Sequence, residues 1–240
     1  MRLFVMQPTY LPWIGIFKAI DYCDSFIFYD DVQFEKQSWQ QRNKILNRNQ
    51  SGKSFIYLRV PVERHSLQTS LGEIKIRDVD FYEEHLAQIR SMYRKARYAQ
   101  EVIDVLEDVY RSNFGQLVEL NIALIKKLSA YIGLETEFYQ SGKLPISGEK
   151  RERLVNFCKY FQAHTYFSAP GAKDYLDSTL FEENGIAVEF LDFEHPIYPQ
   201  VKDGFVSHLS TVDILVHLGP ERTKEVIQGI QLKPSESRDL

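Results

Sequence analysis

The chain has 240 residues, 44% hydrophobic and 26% charged, with a net charge of −4. That length suffices for one large domain or two intimate lobes around a real core. The acidic balance speaks against nucleic-acid binding by the chain as a whole, and no apolar run approaches the roughly 20 residues of a membrane span. Two cysteines, Cys23 and Cys158, show neither CxxC nor finger spacing. They fit free buried thiols in a reducing compartment. Met1-Arg2 leads directly into a short strand-like run rather than a leader, so a cytoplasmic protein is expected.

In chain order, Leu3–Met6 reads as a strand stopped by Pro8, Ile14–Tyr22 as a short helix, and Ser25–Tyr29 as a second strand, apolar throughout as a buried parallel strand is. Phe55–Val62 and Glu73–Ile76 read as further strands flanking a turn-like Ser66–Gly72. From Asp80 to Arg111 the period becomes helical, as two helices broken near Arg94–Tyr98. Leu117–Ile132 is an amphipathic helix ended by Gly133. A strand at Glu135–Tyr139, a helix over Lys150–Phe161 and a strand at Thr165–Ser168 come next. Pro170-Gly171 turns into a helix ending near Leu176, and a strand covers Ile186–Phe190. An irregular stretch, Asp192–Val206, carries Pro196 and Pro199. Helices follow at Thr211–His217, ended by Gly219-Pro220, and onward to about Gln228.

Strands alternating with helices predict an α/β fold with a mostly parallel, Rossmann-like sheet. It is expected to form one domain over residues 1–232, with a helical insertion at about 80–132 and a flexible tail at 233–240. In such sheets ligands bind outside the carboxyl ends of the strands. Three unusual loops are placed there: QPTYLPW after the first strand, YDDVQF after the second, and HPIYPQ after the last.

Each loop carries candidate chemistry. Pro8 and Pro12 stiffen the first loop, where Gln7, Tyr10 and Trp13 offer an amide and flat rings for a base or sugar. Gly15 opens the next helix, whose N-terminal amides could attract phosphate. Asp30 and Asp31 end the second strand, and alternation along a strand leaves at most one of them facing a shared pocket. Residues 36–62 contain no acid but include Lys36, Arg42, Lys44, Arg48, Lys53 and Arg59. They form a basic face suited to an anionic ligand. Arg42 could grip a phosphate with two donors, beside Asn43 and Lys44. His85 could face the sheet from its helix. His195, in a stiff loop at the inferred edge, is the strongest candidate base. Tyr198 and Gln200 share its loop, while Ser210 reads as a helix cap with Asp213 three residues on. No metal constellation, phosphate loop, GxSxG or GxGxxG is present.

QPTYLPWIG, DDVQF with Arg42-Asn43, HPIYPQ and LSTVDILVHLG occur together, in this order, in the WbqC-like family, which the chain resembles from Leu3 to Gly219. The resemblance implies a cytoplasmic bacterial protein associated with O-antigen and other surface-polysaccharide gene clusters. It brings Gln7, Tyr10, Trp13, Asp31, Arg42, Asn43, His195, Tyr198, Gln200, Ser210 and Asp213 into one expected site. The expected activity is acyl or aminoacyl transfer to a nucleotide-linked amino sugar. His195 would act as base and Asp31 would orient the amine, with Arg42 and Lys44 on the diphosphate. No cofactor is firmly implied, and a carrier-protein thioester could be the donor. A non-catalytic partner subunit of a glycan-assembly enzyme and a divergent nucleotidyltransferase are the alternatives. The paired histidines of nucleotidylyltransferases are absent, so fold analogy supplies no reaction.

Overall fold

The computed structural model describes residues 1–49, 52–172 and 176–232. In chain order the elements are β1 (Arg2–Met6), α1 (Ile14–Tyr22), β2 (Ser25–Phe28), β3 (Arg42–Leu46), β4 (Phe55–Arg59), α2 (Phe81–Tyr93), α3 (Ala99–Tyr110), α4 (Leu117–Ile132), β5 (Glu137–Gln140), α5 (Lys150–Tyr160), β6 (Thr165–Ser168), α6 (Thr179–Glu182), β7 (Ala187–Phe190) and α7 (Thr211–Gly229). Five strands form a parallel sheet in the order β5-β2-β1-β6-β7, while β3 and β4 pair as a separate antiparallel ribbon. This is a Rossmann-like α/β fold.

The sheet is buried on both faces because its strands are apolar at successive positions. The register aligns Phe138, Phe26, Phe4 and Phe167 across four strands. Their rings touch at centroid separations of 5.4 to 5.8 Å. This ladder faces a core shared with α1–α4 and α7. Leu3, Ile27 and Tyr166 point to the opposite face, where they pack with Val155, Phe157 and Phe181 from α5 and α6.

Several expectations change. Arg42–Leu46 is a strand, although its polar start hid the period. The strand expected over Phe55–Val62 ends at Arg59. Glu73–Ile76 is not a strand: Leu71–Glu73 is a single 3-10 turn closed by Ser70 and Glu73 in a capping box, and Lys75 and Ile76 make only isolated bridges. After Pro170 a 3-10 turn runs to Ala172, and the rest of the helix expected there lies partly outside the described residues. The expected break in the final helix is a kink within α7 at Gly219, before Pro220.

Candidate functional site

The chain leaves β1 toward β2 and β5 on one side, and β6 and β7 complete the other. The strand order therefore reverses between β1 and β6. A crevice opens outside the carboxyl ends at such a point. Here an inner cavity of about 430 Å³ is lined by Gln7, Thr9, Tyr29, Trp39 and Ser168. It adjoins an outer cavity of about 260 Å³ lined by Met6, Thr9, Trp13, Trp39, Asn43 and His208. Met6, Thr9 and Trp39 belong to both. Both tryptophans of the chain face the outer cavity.

The opening loop is held from every side. Asn43 Nδ2 donates to the Tyr10 and Leu11 carbonyls at 3.1 and 2.8 Å. Asn121, fully buried on α4, donates to the Pro8 and Gln40 carbonyls. Thr211 N donates to Pro12 O, and Ser210 N to Lys44 O, both at 2.8 Å. Trp13 and Ser210 form a bridge. The first, second and fourth sequence motifs thus interlock through their backbones. This leaves Gln7, Thr9 and Trp13 as the loop residues that line the crevice. Gln7 Oε1 accepts from Gln40 Nε2 at 2.6 Å.

Tyr10 does not offer its ring to a ligand. It is fully buried, and its hydroxyl meets His85 Nδ1 at 2.8 Å and the Tyr110 hydroxyl. His85 is therefore part of the core behind the loop, and burial drives its pKa down to about 4. The α1 N-terminus is also closed to phosphate. The Trp13 indole lies over Gly15 so closely that a Cβ there would sit 2.4 Å from ring atoms.

Trp13 stacks on the third loop. Its ring is 5.5 Å from Phe193, 6.1 Å from His195 and 5.1 Å from His208. His195 Nδ1 is 2.9 Å from the Pro196 carbonyl. A carbonyl only accepts, so Nδ1 carries the proton and Nε2 is left as an acceptor with no hydrogen-bond partner among the described residues. Burial lowers the His195 pKa, the Pro196 bond opposes this, and His208 adds to the lowering. The ring is thus neutral near pH 7, as a general base requires.

Of the cations, Lys44 lies beside the crevice residues Trp39 and His208, while Arg42 packs on Tyr57, which lines neither cavity. Lys44 Nζ lies 5.2 Å over Trp39 and 4.6 Å over Phe55, and the Arg42 guanidinium lies 4.4 Å over Tyr57. Asn43 lies on the other face of the strand, as alternation demands, where it holds the opening loop and lines the outer cavity.

Tyr198, Gln200, Ser210 and Asp213 form a latch behind the crevice. Gln200 Nε2 donates to Asp213 Oδ2 at 2.8 Å and to Val206 O, while its Oε1 accepts from Val206 N. Ser210 caps α7, accepting from Val212 N. Asp213 does not reach back to complete a capping box, because its side chain is fully buried against the Gln200 loop.

Asp31 lies elsewhere. Asp30 and Asp31 sit beyond the end of β2, so strand alternation does not separate them, and both line a third cavity of about 570 Å³. Both carboxylates face the Ser141 hydroxyl, Asp30 also accepts from Gly142 N, and Asp31 pairs with Arg153. His195 lines none of the three cavities itself; it stands behind Trp13, which lines the outer one. Sequence reasoning missed Trp39, Asn121 and His208. Trp39 had one usable signal, an aromatic ring within the acid-free stretch, whereas His208 was concealed by the helix-cap pattern beside it.

The fold and crevice define a Rossmann-like α/β protein with an aromatic, imidazole-lined cleft at its topological switch point. The chain belongs to the WbqC-like protein family, whose sequence profile matches residues 7–225. It is 30% identical over 223 residues to uncharacterized protein Rv1507c of Mycobacterium tuberculosis, covering 92% of this chain and 95% of that protein. No solved structure matches the chain. No described helix is long and apolar enough to cross a membrane.

Proposed function

We propose that the protein is a transferase that moves an acyl or aminoacyl group onto the amine of a nucleotide-linked amino sugar, in bacterial surface-polysaccharide synthesis. The observation that carries this reading is the stacking of Trp13, which lines the outer cavity, on His195, whose Nε2 has no hydrogen-bond partner among the described residues. Trp13 and Trp39 would flank a base or sugar ring, with Gln7 and Thr9 on its polar edge. Lys44, beside Trp39, would meet the diphosphate, with Arg42 two residues before it on the same strand face. The amine would attack the carbonyl carbon of a carrier-protein thioester, and His195 Nε2 would take the proton it sheds. Asp31, held by Arg153 in a separate cavity, is left out of this step.

With both tryptophans in the crevice, their fluorescence reports binding. A nucleotide-linked amino sugar should quench it and raise the melting temperature, as any ligand selective for the folded state does. Lys44→Ala and Arg42→Ala should weaken that response. His195→Gln should retain binding but lower transfer by about 10²–10⁴-fold; full turnover in that variant would remove His195 from the step.

One observation favours a second reading, a non-catalytic partner subunit. Arg42 stands directly opposite Arg59 in the β3–β4 register, with no carboxylate paired to either among the described residues. Like charges so placed destabilise a ribbon, and an acidic partner surface would relieve them. No fluorescence or thermal response to any nucleotide sugar would move the assignment there.

A further inference from the structure

We infer that Glu35 determines specificity for the amine: its carboxylate receives the ammonium group of the amino sugar in the inner cavity. The inference rests on the transferase reading above, which sets Asp31 aside and so leaves the amine without a carboxylate. The same loop, continued past Asp31, brings Glu35 to the crevice. Glu35 lines the inner cavity and is the one carboxylic acid among the described residues that line either part of the crevice. No described lysine or arginine lines either part. Glu35 forms no ion pair with any described residue.

The turn that carries Glu35 is braced by a single buried amide. Glu35 N donates to Gln40 Oε1 at 3.0 Å, and Ser38 N donates to Glu35 O at 3.2 Å. A backbone N–H only donates, so Gln40 turns its oxygen to Glu35 and its nitrogen to Gln7. Gln7 must then offer its own oxygen, at 2.6 Å. Its Nε2 is left with no hydrogen-bond partner among the described residues, on the wall of the same cavity. Gln40 is 2% exposed, and its carbonyl accepts from Asn121. Gln40 thus sets two complementary groups on the inner cavity: a carboxylate at Glu35, which accepts, and an amide nitrogen at Gln7, which donates.

That pair fits an amino sugar better than a neutral one. An ammonium donates three hydrogens and accepts none, which suits Glu35, while a sugar oxygen accepts from Gln7. Charge runs the same way along the crevice. Lys44 lies beside Trp39 and His208, and His208 lines the outer cavity but not the inner one. A diphosphate is drawn to Lys44 and repelled by Glu35, and an ammonium is placed the other way round. The ligand therefore sits with its amine inward. Acylation leaves a neutral amide at that nitrogen, so the product loses the contact. Glu35 itself makes and breaks no bond.

The test is binding to the full chain, read by tryptophan fluorescence and by calorimetry, at low salt in slightly acidic buffer that keeps amines charged. The probes are UDP- and dTDP-hexoses with an amine on the second, third or fourth sugar carbon, each matched with its hydroxyl counterpart. At least one amine should bind about tenfold more tightly than its hydroxyl partner, as a charged hydrogen bond shielded by the bound sugar allows. Glu35→Gln keeps the shape of an exposed side chain; it should erase the preference and leave the affinity of the hydroxyl partner unchanged. Glu35→Lys should reverse the preference. A preference that survives Glu35→Gln, or a wild type that binds amine and hydroxyl forms equally, overturns the role of Glu35 and leaves the nucleotide-sugar site standing. A wild type that binds none of these sugars overturns the transferase reading and this inference with it.

Discussion

At Gly15 the absence of one carbon decides where an indole can lie. The Trp13 ring occupies the space a Cβ would take, with ring atoms 2.4 Å away, and α1 shows no side-chain cap bond at that end. Gly15→Ala must push the ring off the helix or bend the chain beneath it. Overpacking of this kind costs about 1–3 kcal/mol. Because Trp13 also stacks on His195 and packs at a tilt against His208, the displaced ring should lose both neighbours. Urea unfolding should show the lowered stability, and native-state fluorescence should shift with it. A variant with unchanged stability and unchanged emission would show that the ring does not rest there. Sequence reading found Trp13 and Gly15, but assigned the glycine to phosphate. Only the contact between two residues of the same short segment distinguishes a covered helix terminus from an open one, and no spacing rule encodes it.

At the scale of elements, α7 and the loop before it are joined through buried polar groups. Val201 N–H donates to His217 Nε2 at 2.9 Å, so Nε2 carries no proton, and His217 Nδ1 bonds to the Asp213 carbonyl. Burial raises the Asp213 pKa, and the neighbouring His217 imidazole, then the facing Tyr93 and Tyr198 phenols and Gln200, reduce the rise without cancelling it. A carboxyl whose folded pKa lies above its unfolded value binds protons more tightly when folded. Its contribution is fully present below the ordinary carboxylate pKa and is lost as pH rises through the folded value. Asp213→Asn keeps an oxygen for Gln200 and cannot ionise. It should flatten the decline in stability above the ordinary carboxylate range, a slope of at most about 1.4 kcal/mol per pH unit for one proton. Urea midpoints measured across that range for both proteins check this; an equal slope in the variant would mean that another group carries it. From sequence, Ser210 and Asp213 read as cap and near-capping box. The serine does cap α7. The aspartate serves the latch instead, because its partner Gln200 lies thirteen residues away in a loop without a period.

At the scale of the whole molecule, the parallel sheet was legible because β1, β2 and β6 are short apolar runs bounded by helical periods, and α2, α3 and α4 announce themselves by amphipathic spacing. The ribbon was half hidden, since Arg42-Asn43-Lys44 alternates between cation and buried amide rather than between apolar and polar. The crevice was legible only as an edge. Which loop residues line it depends on Asn43 and Asn121, whose hydrogen bonds turn Tyr10 inward. The expected single domain over 1–232 has a test in the two thiols. Cys23 lies in the core on the α1 face of the sheet and Cys158 in the core under α5 and α6. Both are buried and unbonded, and burial pushes the Cys158 thiol up to about 12 and raises Cys23 as well. Neither should react with a thiol-specific dye until its own layer opens. If both layers unfold as one cooperative unit, the two cysteines, read separately in Cys23→Ala and Cys158→Ala, should become reactive at the same urea concentration and with the same denaturant dependence. Earlier labelling of Cys158 would instead mean that the α5–α6 layer opens alone, and the chain would then be two folding units sharing one sheet.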